Sequence, residues 1–580
     1  MLREAENGHN GKEEPPLIIF FCLDLSSRII RFRGYWNAVK IAILDGYVDE
    51  PSCLGVPPYI SPYPRYLAGA ILSTGNDYEY VTVDQVRSGT SPSGDILVLI
   101  AGPVVPGRYL RGMPISPKEI VSFCKGFGGT RILGGPLARF GMYDSRIERV
   151  FDHIARKDLD AFVYDFLSGG RTTHRNRDMD EWREWSVSGS EVVRSHPDIP
   201  QPLIAELDSW RGCVRYLSGG CSFCIEPLYG KPQFREIDDI TQEVSALHSA
   251  GVRNFRLGGQ SCVFSYLAQG IGETETPIPN PDAIEKLLKG IRKTAPNLQV
   301  LHTDNADPAV IATHPKESKR VSLHLVKYCT GGNVLAFGVE SVDPEVIVSN
   351  NLNTNAEQAK LAVELINKVG SARSPTGLPH LLPGINFLIG LKGERMETFS
   401  MNLAFLKELL DSGLMIRRIN IRQVLPIRGK FDVKKHYKEF RRFKSRVREE
   451  IDRPMMARVL PAGTVLREVY LEIWKGRKTF GRQIGTYPIL VGLPYKTELN
   501  RSVHVCVLSH SYRSVTGIEF PLNPNDASLD ALASLPGIGR KRAARIVRAR
   551  PFNNPSQFIE AIDEETIARR VVGFLSFDSE

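Results

Sequence analysis

The chain is poor in cysteine, with 9 in 580 residues, and in tryptophan, with 5. Cysteines so thinly spread form no disulfide framework, which points to a reducing compartment, the cytoplasm. No apolar run approaches the roughly 18 residues that cross a bilayer, so no membrane partner is expected. The short run LIIFFCLDL follows acidic residues and precedes no small-residue cleavage site, so it reads as a strand and not a signal peptide. Acidic excess is also missing. The net charge is +9, and residues 411–580 carry about 31 Lys and Arg against about 18 Asp and Glu. A basic C-terminal third on a near-neutral body fits a polyanionic partner, the alternative being a merely solvated surface. A length of 580 residues exceeds one core and implies several domains.

Against that background one stretch stands out, Trp210 to Pro227, reading WRGCVRYLSGGCSFCIEP. It holds Cys213, Cys221 and Cys224 and neither a fourth cysteine nor a histidine. Three thiolates suit an iron–sulfur cubane held through three irons, with the fourth open to a ligand. Structural zinc closes with four protein ligands. The plain alternatives are three unlinked buried cysteines, or one disulfide and a spare. The loop resembles that of the radical S-adenosylmethionine (radical SAM) superfamily, whose spacing is C-x3-C-x2-C. The second half, Cys221-Ser-Phe-Cys224, keeps the pattern, whereas the first gap widens to seven residues, Val214–Gly220. More narrowly, the chain resembles an archaeal-type radical SAM family with a C-terminal helix-hairpin-helix, related in layout to tRNA methylthiotransferases. The resemblance implies a 4Fe–4S cluster on Cys213, Cys221 and Cys224, with SAM chelating the open iron. It also implies a 5′-deoxyadenosyl radical and an electron donor such as ferredoxin or flavodoxin.

The fold class expected is α/β in several parts. Residues 15–168 alternate strands (Leu17–Cys22, Ala38–Leu44, Tyr78–Thr82, Asp95–Ile100, Arg131–Leu133) with helices, the pattern of a parallel sheet. This part resembles the Rossmann-like, cobalamin-binding-like domain that precedes many radical SAM cores. The cobalamin-ligating signature D-x-H-x-x-G is absent, which argues against cobalamin. Cys22, Cys53 and Cys124 could hold a second cluster, as in methylthiotransferases, but probable strand and helix positions favour buried core cysteines. Residues 169–200, polar and broken by glycine and serine, read as a linker.

Residues 201–455 read as six β/α units of a partial TIM barrel, whose chemistry gathers at the strand C-termini. The resemblance assigns SAM contacts to Phe223, to Gly258-Gly259-Gln260 after the second strand, to Glu340 and Ser341 in FGVES, and to Gly390. Glycines at 258 and 259 would let the methionine moiety approach the main chain. Glu340 could instead cap a helix. Cys262 and Cys329 read as small buried residues. Lys434–Glu450 is a basic amphipathic helix that could face phosphates or only water.

Residues 456–522 show short strands with glycine turns, a small β-barrel whose position resembles the RNA-binding TRAM domain. Arg482, Tyr487, Arg501 and Arg513 are its candidate RNA contacts. In 526–576, Leu535-Pro-Gly537-Ile-Gly539-Arg540-Lys541-Arg542-Ala543 matches a helix-hairpin-helix signature, which holds the sugar-phosphate backbone without reading bases. Together these imply modification of a base in RNA, tRNA or rRNA, by methylation or methylthiolation. DNA repair, a protein or metabolite substrate, and a structural cluster in a nucleic-acid-binding protein are the alternatives.

Overall fold

The computed structural model describes residues 39–50, 53–103 and 109–577, so the candidate strand Leu17–Cys22 lies outside the described residues. Five parallel strands open the fold. They are β1 (Lys40–Asp45), β3 (Asp77–Thr82), β4 (Ile96–Ile100), β5 (Thr130–Gly134) and β6 (His153–Ile154), with β2 (Tyr59–Ile60) standing apart. Their order is β3-β1-β4-β5-β6, a doubly wound arrangement with its switch point between β1 and β4. The central strands β1 and β4 are apolar and almost wholly buried, as expected of parallel strands covered on both faces. Cys124 is buried in the helix Pro117–Lys125, as a core cysteine.

The segment 169–200 is not a linker. Asp178 caps the helix Met179–Ser188 and Glu181 returns the bond, a capping box. Trp182 and Trp185, three residues apart and so on one face, are both buried. A 7-residue 3-10 stretch, Gly189–Ser195, buries Val192 and Val193 as well. The polar composition concealed an amphipathic helix whose apolar side rests on two tryptophans.

The core has six parallel strands: β7 (Ile204–Asp208), β8 (Asn254–Gly259), β9 (Val300–Thr303), β10 (Asn333–Glu340), β11 (Leu381–Ile389) and β12 (Arg418–Gln423). They form two sheets, β9-β8-β7-β2 and β10-β11-β12, joined by the parallel bridge Ala306–Phe337. Helices Ile237–Ser249, Pro281–Thr294, Pro315–Tyr328, Ala356–Gly370 and Met396–Asp411 connect them, each burying one apolar face. This is a partial (β/α)6 barrel with β2 of the N-terminal region added at its first edge.

A closed five-stranded barrel follows, in the order β13 (Val465–Lys475), β14 (Lys478–Gln483), β15 (Leu490–Leu493), β17 (Ser514–Glu519), β16 (Ser502–His510). The chain finishes in short helices, among them Leu529–Ala533 paired with Gly539–Arg548, and Pro555–Glu560 paired with Glu565–Val572. No helix among the described residues is long and apolar enough to cross a membrane.

Candidate cluster and cofactor site

Strand β7 runs directly into the cysteine loop, and Trp210 and Arg211 pair with Phe234 and Gln233 to close its base. Gly219 and Gly220 take φ of +82° and +58°, which turns the chain just before Cys221. Cys224 then donates its N–H to the Cys221 carbonyl at 3.0 Å. Three side chains from the barrel hold this loop. Arg428 Nη1 donates to the carbonyls of Gly219, Cys221 and Cys224 at 2.5, 3.2 and 3.2 Å. Asn350 Oδ1 accepts from the Ser222 hydroxyl at 2.9 Å, and Asn351 Nδ2 donates to the Gly220 carbonyl at 2.9 Å.

Arg215, inside the wide first gap, is 4% exposed. Its Nη1 donates to Cys221 Sγ at 3.4 Å and to the Asn351 carbonyl at 2.9 Å, while its own N–H points at Cys213 Sγ at 3.4 Å. Burial pushes the Cys213 thiol up to about 12 and the Cys221 thiol up to about 11, with Arg215 pulling both back. Cys224 is pushed up further by the same cause. A bound metal deprotonates such thiols outright, and a buried guanidinium beside two of them supports the thiolate state. No three His, Cys, Asp or Glu side chains among the described residues converge on a single ion position. Cysteines bound to separate irons of a cubane need no such convergence, so the donor set fits a 4Fe–4S group better than a zinc ion.

The strand ends surround this loop. Glu340 closes β10 at a bulge with φ of +63°, a strained conformation for a non-glycine residue. Burial pushes its carboxyl up to about 8, with Arg422 drawing it down. Gly390, φ +90°, donates its N–H to Glu394 Oε2 at 2.9 Å. Phe223 and Cys221 pack on Val346, Leu352, Leu391 and Val424, with Phe431 and Val433 beside them. Thus Phe223, Glu340 and Gly390 border the cysteine loop or its neighbouring strand ends.

The remaining positions expected to meet SAM have close protein neighbours of their own. Gly258 and Gly259 are small because their own neighbours crowd them: an added Cβ would run into Glu206 and Arg256 at 258, and into Asp208 at 259. The close approach is protein on protein. The Gln260 side chain is 2% exposed and turned inward, donating to the Leu257 carbonyl at 2.7 Å and accepting from Ser209 at 3.1 Å. Ser341 is buried, and its Oγ accepts from the Asp343 N–H at 3.2 Å.

Sequence reasoning missed Asp307, whose carboxylate accepts from Asn353 Nδ2 at 2.6 Å and whose N–H points at Cys262 Sγ at 3.3 Å. Its charge also raises the Cys213 and Cys221 thiols, so it lies near both. Asn350, Asn351 and Asn353 sit in the run Asn-Asn-Leu-Asn, the signal that could have found them.

The β-barrel residues expected to meet RNA have partners within the protein: Tyr487 and Arg513 reach the core, whereas Arg482 and Arg501 are held by acids of the barrel itself. Arg482 makes a two-pronged bond to Glu472, which also holds Arg111. Arg501 is tied to Thr497 and Glu519, and Arg513 donates to the Ile419 carbonyl of β12 at 2.6 Å. Tyr487 donates to Asp304 Oδ2 at 3.1 Å. Its neighbours do likewise: Thr486 N–H donates to His302 Nδ1 at 2.9 Å, and the Gly485 carbonyl accepts from Tyr59 of β2 at 2.8 Å. Arg417, leading into β12, donates to the Tyr487 carbonyl at 2.6 Å. The turn at 485–487 therefore spans from β2 at one edge of the partial barrel to β12 at the other.

In the terminal helices Arg540 pairs with Asp530 at 3.0 Å, and Arg542 with Asp563 at 2.6 Å and Glu564 at 2.9 Å. These two cations are engaged within the protein. Gly537, Gly539 and Lys541 are exposed.

No protein-family model matches the chain. An uncharacterized protein of Methanocaldococcus jannaschii is 48% identical over 533 residues, 86% of this chain and 98% of its own length, and the chain belongs to its family. The ribosomal protein uS12 methylthiotransferase RimO of Treponema denticola is 25% identical over 206 residues, 34% of this chain and 40% of that one. The tRNA-2-methylthio-N(6)-dimethylallyladenosine synthase of Treponema pallidum is 25% identical over 284 residues, 47% of this chain and 53% of that one. The chain belongs to the radical SAM superfamily. It is a radical SAM enzyme. Among solved structures, the radical S-adenosylmethionine methyltransferase TsrM of Kitasatospora setae, with cobalamin and a 4Fe–4S cluster bound, aligns at 10% identity. That alignment covers 66% of this chain and 72% of that one, with a TM-score of 0.43. The radical SAM enzyme OxsB, with aqua-cobalamin and SAM bound, aligns at 13% identity over 71% and 56%, with a TM-score of 0.43. The cobalamin bound in both of these neighbours corrects the expectation against that cofactor. A missing D-x-H-x-x-G removes one way of ligating the corrin, not the cofactor itself.

Proposed function

We propose that this radical SAM enzyme holds its cluster on Cys213, Cys221 and Cys224 and modifies a base of RNA. When bound, the cluster supplies the electron that converts SAM into a carbon radical able to take hydrogen from an inert C–H bond. The residues of the chain set the surroundings. Arg215 keeps positive charge on Cys213 and Cys221, Arg428 and Asn351 fix the loop carbonyls, and Glu340 presents a carboxyl at the strand end beside Cys221.

One observation carries the choice of a nucleic acid. The basic helix Tyr437–Arg446 follows Phe431 and Val433, which pack on the same apolar cluster as Cys221 and Phe223. Lys434, Lys435, Lys438, Arg441 and Arg442 are exposed there, and none of these side chains has an ion pair or hydrogen bond among the described residues. A row of exposed cations that follows residues sharing an apolar cluster with the cysteine loop is an electrostatic track for a phosphate backbone. Gly537, Gly539 and Lys541 offer a second backbone contact at a helix start. The tRNA-modifying relative supports RNA over DNA.

The test has two parts. Anaerobic reconstitution with SAM and dithionite should yield 5′-deoxyadenosine, and its absence from a fully loaded enzyme would defeat the chemistry. Mass spectrometry of digested RNA from cells with and without the gene should show a missing modified nucleoside. The RimO relative favours a second reading, a ribosomal protein as substrate. Intact-mass shifts in ribosomal proteins with unchanged nucleosides would select it.

A further inference from the structure

A cavity of about 70 Å³ lies where the N-terminal region meets the first core strand. Tyr66 and Trp182 of the N-terminal region line it together with Asp208, Trp210, Arg211 and Gly259 of the core. Four donors at its walls are buried without a partner among the described residues: Tyr66 Oη–H, Trp182 Nε1–H, Trp210 Nε1–H and Arg211 Nε–H. A buried donor left unmade costs about 1–3 kcal/mol, so four around one space is an arrangement that needs acceptors. The protein does not provide them. Of the other acids in the lining, Asp158 is engaged by Arg139 and Arg211 at 2.8 and 2.6 Å, and Glu226 accepts from the Gly212 N–H at 3.1 Å. The Asp208 carboxylate, also in the lining, lies over the main chain of Gly259, where any larger residue would displace it.

We infer that this cavity binds the headgroup of a free α-amino acid. Its carboxylate would take the indole, phenol and guanidinium donors, and its ammonium would face Asp208. The size agrees. At roughly 10–15 Å³ per water position the cavity holds about five, and an amino-acid headgroup has five heavy atoms. The competing occupant is ordered water, which satisfies donors equally well but confers no selectivity. The inference is independent of the RNA reading, because it uses neither the basic helix nor the terminal hairpins.

The test is isothermal titration of the reconstituted enzyme with the proteinogenic L-α-amino acids, their N-acetyl derivatives and their methyl esters. At least one free amino acid binds and raises the melting temperature, and both blocked forms bind at least tenfold more weakly. Tyr66→Phe keeps the ring and removes the donor, so it weakens binding roughly tenfold while its melting temperature without ligand stays level or rises. Trp182→Phe also weakens binding, but it shrinks a buried ring and lowers the melting temperature by itself, so only its affinity is read. The Tyr66→Phe melting temperature separates a ligand donor from a structural bond, whose loss would lower it. No binding by any amino acid, or binding unchanged in both variants, means water fills the cavity and overturns the inference. Complete mutual competition with SAM would also overturn it, by making the cavity part of the SAM site.

Discussion

The turn at 485–487 makes a claim that one methyl group can test. Gly485 has φ of +155°, and a Cβ built there stands 2.6 Å from His302 Cε1 and 2.9 Å from Nδ1. His302 is 3% exposed and held by the Thr486 N–H, so it has little room to retreat. Gly485→Ala therefore overpacks the seam at about 1–3 kcal/mol. It adds backbone strain of about 1–2 kcal/mol for a side chain at this φ. Displacing the turn also weakens the bonds from Tyr59, Thr486 and Tyr487, each worth about 1 kcal/mol. With all three bonds lost the total is about 5–8 kcal/mol, concentrated where the small barrel meets both edges of the core.

Gly463 supplies the control, because its φ is +87° and nothing lies within 4 Å of an added Cβ. Gly463→Ala should cost only the strain, about 1–2 kcal/mol. Hydrogen exchange of peptides covering 484–488, read across a urea series, measures the local opening free energy in both variants. The turn should open far more readily in Gly485→Ala than in Gly463→Ala. Losses equal within about 1 kcal/mol would refute the view that this turn closes the side of the partial barrel.

Acid provides another handle on the same seam. Burial lowers the His302 pKa to about 4, so the folded state keeps it neutral while the unfolded chain protonates near 6.5. Stability is thus full above about pH 6.5 and falls as pH drops towards 4, by up to about 3 kcal/mol, and a melting-temperature profile of His302→Asn should be flatter over that window. Alanine at Cys213, Cys221 or Cys224 should abolish iron incorporation and SAM cleavage with unchanged circular dichroism, whereas retained cleavage would remove that cysteine from the ligand set. Arg215→Met should lower stability by about 2–4 kcal/mol and reduce iron content, and Arg215→Lys should restore charge but not the two-pronged contact to Asn351, leaving an intermediate iron content. Glutamate at Lys434, Lys435, Arg441 and Arg442 together should weaken RNA binding and flatten its salt dependence by about 4 units of slope, with cluster content unchanged.

The strands were legible because parallel strands are nearly continuous apolar runs, and β4, β10 and β11 stand out of the sequence by composition alone. The five barrel strands were equally legible from glycine turns. The segment 169–200 was not, since its apolar content is concentrated in two tryptophans among charged residues, and periodicity needs more positions than that to show. The cysteines were visible as a local motif. Arg215, Asn351, Asp307 and Arg428 were not, because they converge from four strand-end loops over as many as 209 residues of sequence. The arginines at 482, 501 and 513 misled for a related reason. Charge in a sequence reads as surface, and only the folded chain shows the acid or carbonyl each one meets.

The wide first gap of the cysteine loop is explained by the same convergence. The gap between Cys213 and Cys221 is seven residues where the superfamily spacing has three. With seven the chain makes a detour that leaves Leu217 70% exposed at its tip and folds Arg215 back beneath both sulfurs. That arginine joins Cys213 and Cys221 to Asn351, and Asn351 in turn holds Gly220, so the detour closes a ring of contacts that never leaves the loop and one asparagine. Asn351 itself takes φ of +50°, a conformation that asparagine tolerates better than other non-glycine residues. The insertion is therefore less a spacer than a means of carrying a guanidinium to the sulfurs, and its exposed tip is left over for whatever approaches the cluster.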